Sequence, residues 1–329
     1  MSLPLRIAFS ENPMVRPLKD GRVKPNNIEL DFVTVDHPGD LFYRNLKFDE
    51  FDVSEMGIPW TIRIMEMNEP KRWDWGKLPI FLSRGTGWTN LYVNAASGIH
   101  HLRDLRGKKI CVPEYNTSMS LWLRVLMKDF FGINPQDNVW YLARTEDRNQ
   151  GSALGVEKDA PKGIDVVWLT NQQTPDGLLE TGEVDAAIIH PGSLGSDSID
   201  RYAGTPLTGN PRIRKLFPDD GKNLLEDFFE QTGVYQINHH VIVQNRILRA
   251  NPWVAMELFT AFQQSATIAL ESARRQSEAD SLFKNDNYPI GINGIRKSFD
   301  RYIQALLDGD VIKTRFRVED VYFSTTLQT

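Results

Sequence analysis

The chain carries a single cysteine, Cys111, in 329 residues. One thiol excludes an internal disulfide framework and any multi-cysteine zinc or iron–sulfur cage. Its setting in KKICVP reads as a buried strand with an inert core thiol. No stretch approaches the ~18 consecutive apolar residues that a membrane span needs, so no membrane span is expected. Charge of one sign is also missing: 38 basic and 43 acidic side chains are interspersed, with a net charge of −5 and a pI near 5.8. A nucleic-acid partner normally demands a basic face or stripe, and none is expected here. The opening MSLPLRIAFS runs into the first strand without a basic segment, apolar run or small-residue cleavage site. That predicts a cytoplasmic protein; a chain already stripped of a leader would read the same way and be periplasmic. No HxH, HExxH or His-Asp set offers a metal site, and GxSxG, Ser-Lys and phosphate-binding glycine loops are absent too. Repeats, heptads and low-complexity tracts are likewise missing.

What is present is enough apolar material for real cores: 41% hydrophobic, 10% aromatic and 25% charged residues. At about 150 residues per domain the length suggests two domains. Short apolar strands alternate with helical patterns. Strands are expected at 5–9, 28–35, 51–54, 91–94, 109–112, 166–169, 184–189 and 241–243, and helices at 40–48, 59–67, 118–131, 175–180, 224–231, 252–274 and 295–307. Such alternation predicts an α/β architecture with mostly parallel sheets. The longest helix should start at Asn251 as N-cap with Pro252 in its first turn. It presents Val254, Leu258, Phe262, Ala266 and Ala269 as one apolar stripe to a core.

In open α/β sheets ligands sit beyond the carboxyl ends of the strands. The shortlist of chemistry-bearing positions is therefore Ser10 to Arg16, Ser54-Glu55-Met56, Ser83-Arg84, Pro113 to Ser118, His190-Pro191 and His239. Arg16 and Arg84 could each fork onto a carboxylate; the plain alternative is a solvated surface arginine. Glu114, Tyr115, Thr117 and Ser118 lie where a strand meets a helix. Free amides and the helix dipole there favour an anion, and ordinary capping by Thr117 or Ser118 is the competing reading. Glu55, next to Ser54 after the strand and beside Met56 and Trp60, is expected to have a raised pKa suited to taking a phenolic proton, or else to pair with a basic neighbour. His239 and His240 are consecutive on a strand, so their side chains face opposite ways and cannot share a metal. His190 is a second candidate for proton transfer; His100 and His101 read as surface loop residues.

Several segments, in order, resemble the 4,5-dihydroxyphthalate decarboxylase family: RPLKDGRVKP (16–25), FDVSEM (51–56), LYVNAASGI (91–99), DLRGKKICVPEY (104–115), GEVDAAI (182–188), KLFPD (215–219), INHHVIV (237–243) and NPWVA (251–255). DLRGKK and GEVDAAI are common to the wider binding-protein superfamily, whereas FDVSEM, VPEY and the histidine of INHHVIV look more like the decarboxylase branch. The resemblance implies a two-lobed type II periplasmic-binding-protein-like fold, with lobe 1 from residues 1–92 and 243–329 and lobe 2 from 93–242. It also implies two crossover strands, near Leu91–Asn94 and Val241–Val243, and a ligand cleft between the lobes. Gln236-Ile237-Asn238-His239 stands where the family tends to show Pro-Ile-Met-His. The run after Arg84 reads Gly-Thr-Gly-Trp, and Ile189-His190-Pro191 departs from the family pattern as well. These departures imply an altered pocket wall.

The activity so implied is cofactor-independent decarboxylation of a hydroxylated aromatic carboxylic or dicarboxylic acid. The ring carbon bearing the carboxylate is protonated, a para hydroxyl supplies electrons, and carbon dioxide leaves as aromaticity returns. His239 is the expected proton donor, since an unperturbed imidazole titrates at about 6.5, with Glu55 or His190 handling the hydroxyl. Arg16, Ser54, Arg84, Glu114, Tyr115, Thr117 and Ser118 are the expected substrate contacts. The partner is then a small aromatic carboxylate, and association of identical chains stays open. The alternative is a solute-binding protein of an ABC-type transporter that captures a small carboxylate without chemistry; a relative diverted to another biosynthetic step or to sensing is a third reading.

Overall fold

A computed structural model describes residues 2–68, 72–83, 87–156, 161–190, 198–275 and 290–329. In it the chain divides into two compact units. The first comprises Met1–Gly85, Gly233–Leu307 and Ile312–Thr329, and the second Thr86–Thr232 and Asp308–Val311. Among the described residues the strands are β1 (Leu3–Ser10), β2 (Ile28–Val35), β3 (Val53–Gly57), β4 (Trp75–Leu78), β5 (Leu91–Asn94), β6 (Lys109–Val112), β7 (Val139–Leu142), β8 (Asp165–Trp168), β9 (Ala186–Ile188), β10 (Ile213–Lys215) and β11 (His239–Gln244). The helices that matter below are α1 (Arg16–Lys19), α2 (Pro38–Phe48), α3 (Ile58–Met67), α4 (Ser118–Phe131), α5 (Gln150–Leu154), α6 (Pro175–Thr181), α7 (Lys222–Thr232), α8 (Asn245–Ala250), α9 (Val254–Arg275) and α10 (Arg296–Asp308).

The first unit is built on a sheet of order β2-β1-β3-β11-β4. β1 runs parallel to β2 and β3, while β11 runs antiparallel to both β3 and β4. One face of β1 buries Leu5, Ile7 and Phe9 against the stripe of α9, where Val254, Leu258, Phe259 and Phe262 join the same apolar cluster. The rings of Phe9 and Phe262 meet at 5.2 Å, and full burial of such a side chain is worth roughly 1.5–3 kcal/mol. The helix starts two residues later than its sequence suggests: Val254 N–H donates to Asn251 O, so Pro252 and Trp253 form a turn ahead of it.

The second unit has the order β10-β5-β9-β6-β7-β8. Here β5 is the reversed strand, antiparallel to β9 and β10, while β9, β6, β7 and β8 run parallel. The α/β expectation holds, although both sheets are mixed. α4 begins at an N-cap, Thr117, whose side chain accepts from Ser120 N–H, and ends at Gly132, whose φ of 62° suits the left-handed C-cap. Trp122 and Trp140 are fully buried in this unit.

β3 shifts relative to expectation. The strand covers Val53–Gly57, so Glu55 lies within the ladder opposite Val241 and does not follow it. Arg16, expected in a polar loop, is the first residue of α1.

Candidate functional site

Two residues of the first unit, Ser10 and His239, converge on one buried carboxylate, that of Glu55. Glu55 is opposite Val241 in the antiparallel β3–β11 pair, and His239 is two residues before Val241, so all three lie on the same face. His239 Nδ1 is 3.1 Å from Glu55 Oε2. The other carboxylate oxygen, Oε1, accepts from the Ser10 amide at 2.9 Å and also from the Ser10 hydroxyl. Ser10 reaches it as the last residue of β1, the neighbour of β3. Phe42 of α2 sets its ring edge-on to the imidazole, with centroids 4.6 Å apart at 87°.

Glu55 is 2% exposed. Burial by itself raises a carboxyl pKa, as the sequence led us to expect. The hydrogen bond and charge of His239, with the two donors of Ser10, outweigh it and hold the Glu55 pKa below its ordinary value. Glu55 is thus a carboxylate with both oxygens engaged. The His239 side chain keeps 15% exposure, and its Nε2 has no hydrogen-bond partner among the described residues.

Ser54, its neighbour, is spent on scaffolding: its hydroxyl donates to Ala8 O at 2.8 Å and accepts from Asn45 Nδ2 at 3.0 Å, tying β1 and α2 to β3. Arg16 is 58% exposed and pairs with Glu11 at 2.7 Å. It does line, with Ser10, Asn12 and Phe32, a shallow depression at the carboxyl ends of β1 and β2. Arg84 lies outside the described residues.

His240 turns to the opposite face. Its Nε2 is 2.8 Å from the Thr61 hydroxyl and its Nδ1 3.3 Å from the Tyr322 hydroxyl. Burial, with the charges of Lys77 and His239, depresses its pKa well below the imidazole range. Lys77, opposite Ile242, is itself pushed down to about 8 by burial, with Asp74 opposing.

The second unit holds the other candidates. Glu114 is buried and pairs with buried Arg144, which also binds Asp200 at 2.8 Å. Its carboxylate accepts from the Gln150 and Gly151 amides at 2.9 and 3.1 Å, capping the start of α5. Glu114 therefore acts as an internal anion. Tyr115 lies under the Arg124 guanidinium at 3.7 Å and edge-on to Trp140. Burial, opposed by Arg124 and helped by Asp310, raises its pKa, and its hydroxyl has no hydrogen-bond partner among the described residues. Thr117 caps α4 and exchanges a hydrogen bond with the Ser120 hydroxyl at 2.7 Å; Ser118 is buried at the first position of that helix. His190, two residues beyond β9, is half-buried with Nδ1 3.3 Å from Asn90 Nδ2 and Nε2 3.3 Å from the Met119 sulfur. Pro191 lies outside the described residues.

The structure thus joins Glu55 and His239 directly and adds Ser10, which the sequence had on its shortlist only as the first residue after the first strand. Arg144, Arg124 and Asn45 carry no local motif and are visible only once the chain is folded. Among the described residues no group of three or more His, Cys, Asp or Glu side chains is placed to hold a metal ion, and no helix is long and apolar enough to cross a membrane. Burial pushes the Cys111 thiol up to about 12, with Arg201 opposing and Asp176 adding to the rise, so it stays protonated at neutral pH.

Two α/β units on mixed sheets, each with one reversed strand, define the periplasmic-binding-protein fold. The periplasmic aliphatic sulphonate binding protein SsuA from Escherichia coli superposes with a TM-score of 0.53 over 98% of this chain and 93% of its own, at 14% identity. The ligand binding component of an ABC-type import system from Staphylococcus aureus gives 0.53 over 99% and 98%, at 9% identity. Likeness at such identities concerns the fold alone. In sequence the chain is 28% identical over 269 residues to 4,5-dihydroxyphthalate decarboxylase of Comamonas testosteroni, covering 82% of this chain and 76% of that protein. It is 27% identical over 218 residues to the enzyme of the same name from Pseudomonas putida, covering 66% and 78%. No protein-family model matches the chain. The chain is similar to these 4,5-dihydroxyphthalate decarboxylases, and the similarity extends over most of its length.

Proposed function

We propose that the chain is a cofactor-independent decarboxylase of a hydroxylated aromatic carboxylic acid, similar to 4,5-dihydroxyphthalate, acting in the cytoplasm. The observation that carries this reading is the buried Glu55 carboxylate seated on Nδ1 of His239, with Nε2 left unpartnered. A carboxylate in that place holds the proton on Nδ1 and stabilises the imidazolium. Charged His239 gives its Nε2 proton to the ring carbon that bears the carboxylate, the ring supplying a π electron pair with help from a para oxygen. The bond from that carbon to the carboxylate then breaks, its electron pair restores aromaticity, and carbon dioxide leaves. Solvent recharges the imidazole. Net, the carboxylate and one proton become an aryl C–H bond and carbon dioxide.

With both its oxygens engaged, Glu55 serves better as the partner of His239 than as a base, which leaves His190 as the proposed acceptor of the hydroxyl proton. Arg16 and Arg84 are the proposed carboxylate anchors, with the polar groups of Thr117 and Ser118 as further contacts, supplying orientation and charge complementarity. Ser54, Glu114 and Tyr115 act behind these groups as supports.

Purified protein incubated with a panel of hydroxylated benzoates and phthalates should release carbon dioxide from at least one. Saturable binding with no release from any of them would favour the second reading, a binding protein that closes on a small carboxylate, a role the fold also serves.

A further inference from the structure

We propose that Ser10 is a positioning residue of this site: its hydroxyl and its amide hold one oxygen of Glu55, so that the other stays on Nδ1 of His239 and the imidazole offers Nε2 alone to substrate. The kinetic part of this inference rests on the decarboxylase reading; its structural part does not.

The carboxylate of Glu55 has three hydrogen-bond contacts among the described residues, the Ser10 amide, the Ser10 hydroxyl and His239 Nδ1. Two of the three come from one residue and converge on Oε1. Without them the carboxylate would be free to turn about its last torsion, which is a soft one, and Oε2 would leave the imidazole. Ser10 is itself buried at the end of β1, where it pairs with Val35 in the parallel ladder to β2. The hydroxyl makes a bond to a carboxylate, the stronger, charge-assisted kind. Its consequence is electrostatic as well as geometric. A buried carboxylate tends to take up a proton, and the Ser10 donors help keep Glu55 ionised. A protonated Glu55 could not accept the Nδ1 proton in the same way, and the tautomer of His239 would no longer be set. In metal sites, groups that orient a ligating histidine through its second nitrogen account for roughly 10- to 100-fold, and an effect of that order is expected here.

The pair Ser10→Thr and Ser10→Val is nearly isosteric, so comparing them isolates the hydroxyl from any crowding by the added methyl; Ser10→Ala removes it without adding bulk. In ligand-free protein labelled with ¹⁵N-histidine, the wild type should show neutral His239 protonated on Nδ1, Ser10→Thr should keep that tautomer, and Ser10→Val and Ser10→Ala should show a mixture. In turnover, the two variants lacking the hydroxyl should lose kcat by ~10-fold or more with KM within about twofold. The acid limb of their kcat profile should move to higher pH, as Glu55 protonates more readily, and Ser10→Thr should restore both. A wild-type spectrum with His239 protonated on Nε2 overturns the proposal whatever the variants do. So does a Ser10→Val protein that matches Ser10→Thr in tautomer and pH profile. If the wild type releases no carbon dioxide from any hydroxylated aromatic acid, the decarboxylase reading falls, and the tautomer spectra alone decide the role of Ser10.

Discussion

His239 and His240 are consecutive on β11 yet make their contacts on opposite faces of one sheet, the first against Glu55 and the second against Thr61 and Tyr322. The alternation of a strand turns two identical residues into two different chemical objects. One imidazole has a carboxylate on one nitrogen and a partly exposed second nitrogen. The other has both nitrogens satisfied by hydroxyls and is neutralised by burial.

That contrast predicts separable effects. His239→Gln should lower turnover by ~10²-fold or more with a much smaller loss of substrate binding, as for removal of a general acid. His240→Gln should leave turnover within about threefold while reducing stability by ~1–2 kcal/mol through poorer hydrogen bonding to Thr61 and Tyr322. Steady-state kinetics beside urea unfolding of both variants tests this; normal turnover by His239→Gln would remove His239 from the chemistry.

Neutral His240 also predicts how stability depends on pH. Its pKa in the folded chain lies well below the ordinary 6.5. Below pH 6.5 the unfolded chain takes up a proton that the folded chain refuses, so stability present in full above that pH is lost as pH falls toward the folded pKa. The slope is up to ~1.4 kcal/mol per pH unit for one group. Glu55, with its lowered pKa, adds a second loss that begins only below about its ordinary value of 4.5. Denaturation of wild type and His240→Gln between pH 7 and 5 should show a visibly shallower slope for the variant. Parallel slopes would mean that folded His240 accepts the proton.

The Glu114–Arg144 pair should behave as a buried salt bridge that supports the approach to α4 and the start of α5. Arg144→Met alone leaves Glu114 and Asp200 without their cation and should cost ~3–5 kcal/mol. Adding Glu114→Gln should recover a substantial part, because it removes a stranded charge. Urea unfolding of the single and double variants measures the coupling, and additive losses would show that the two side chains act independently.

Much of the architecture was legible in the periodicity of the chain. Ile28–Val35, Leu91–Asn94, Lys109–Val112 and Ser118–Phe131 are found at the bounds read from sequence. β4 was missed because its four residues include Gly76, a poor strand former. Its reason is tertiary: a Cβ there would run into the Leu248 and Asn245 side chains of α8, which pack against this glycine. β7 and β10, of four and three residues, were not read from the sequence. At the site, Glu55 and His239 were identifiable by type and by their strands, but the sign of the Glu55 shift was not. It depends on Ser10 and His239 arriving from residues 45 before and 184 after it in the chain.

That last separation bears on how the protein is made. The reversed strand β11 lies inside its sheet, between β3 and β4, yet is synthesised long after both. At translation rates of about 5–20 residues per second, roughly 10–40 s pass between the emergence of Glu55 and that of His239. Throughout that interval β3 and β4 lack their shared neighbour, and each presents an open hydrogen-bonding edge to other chains. An open edge of that kind favours pairing with other chains until it is covered, and the same late strand that closes the sheet delivers the histidine.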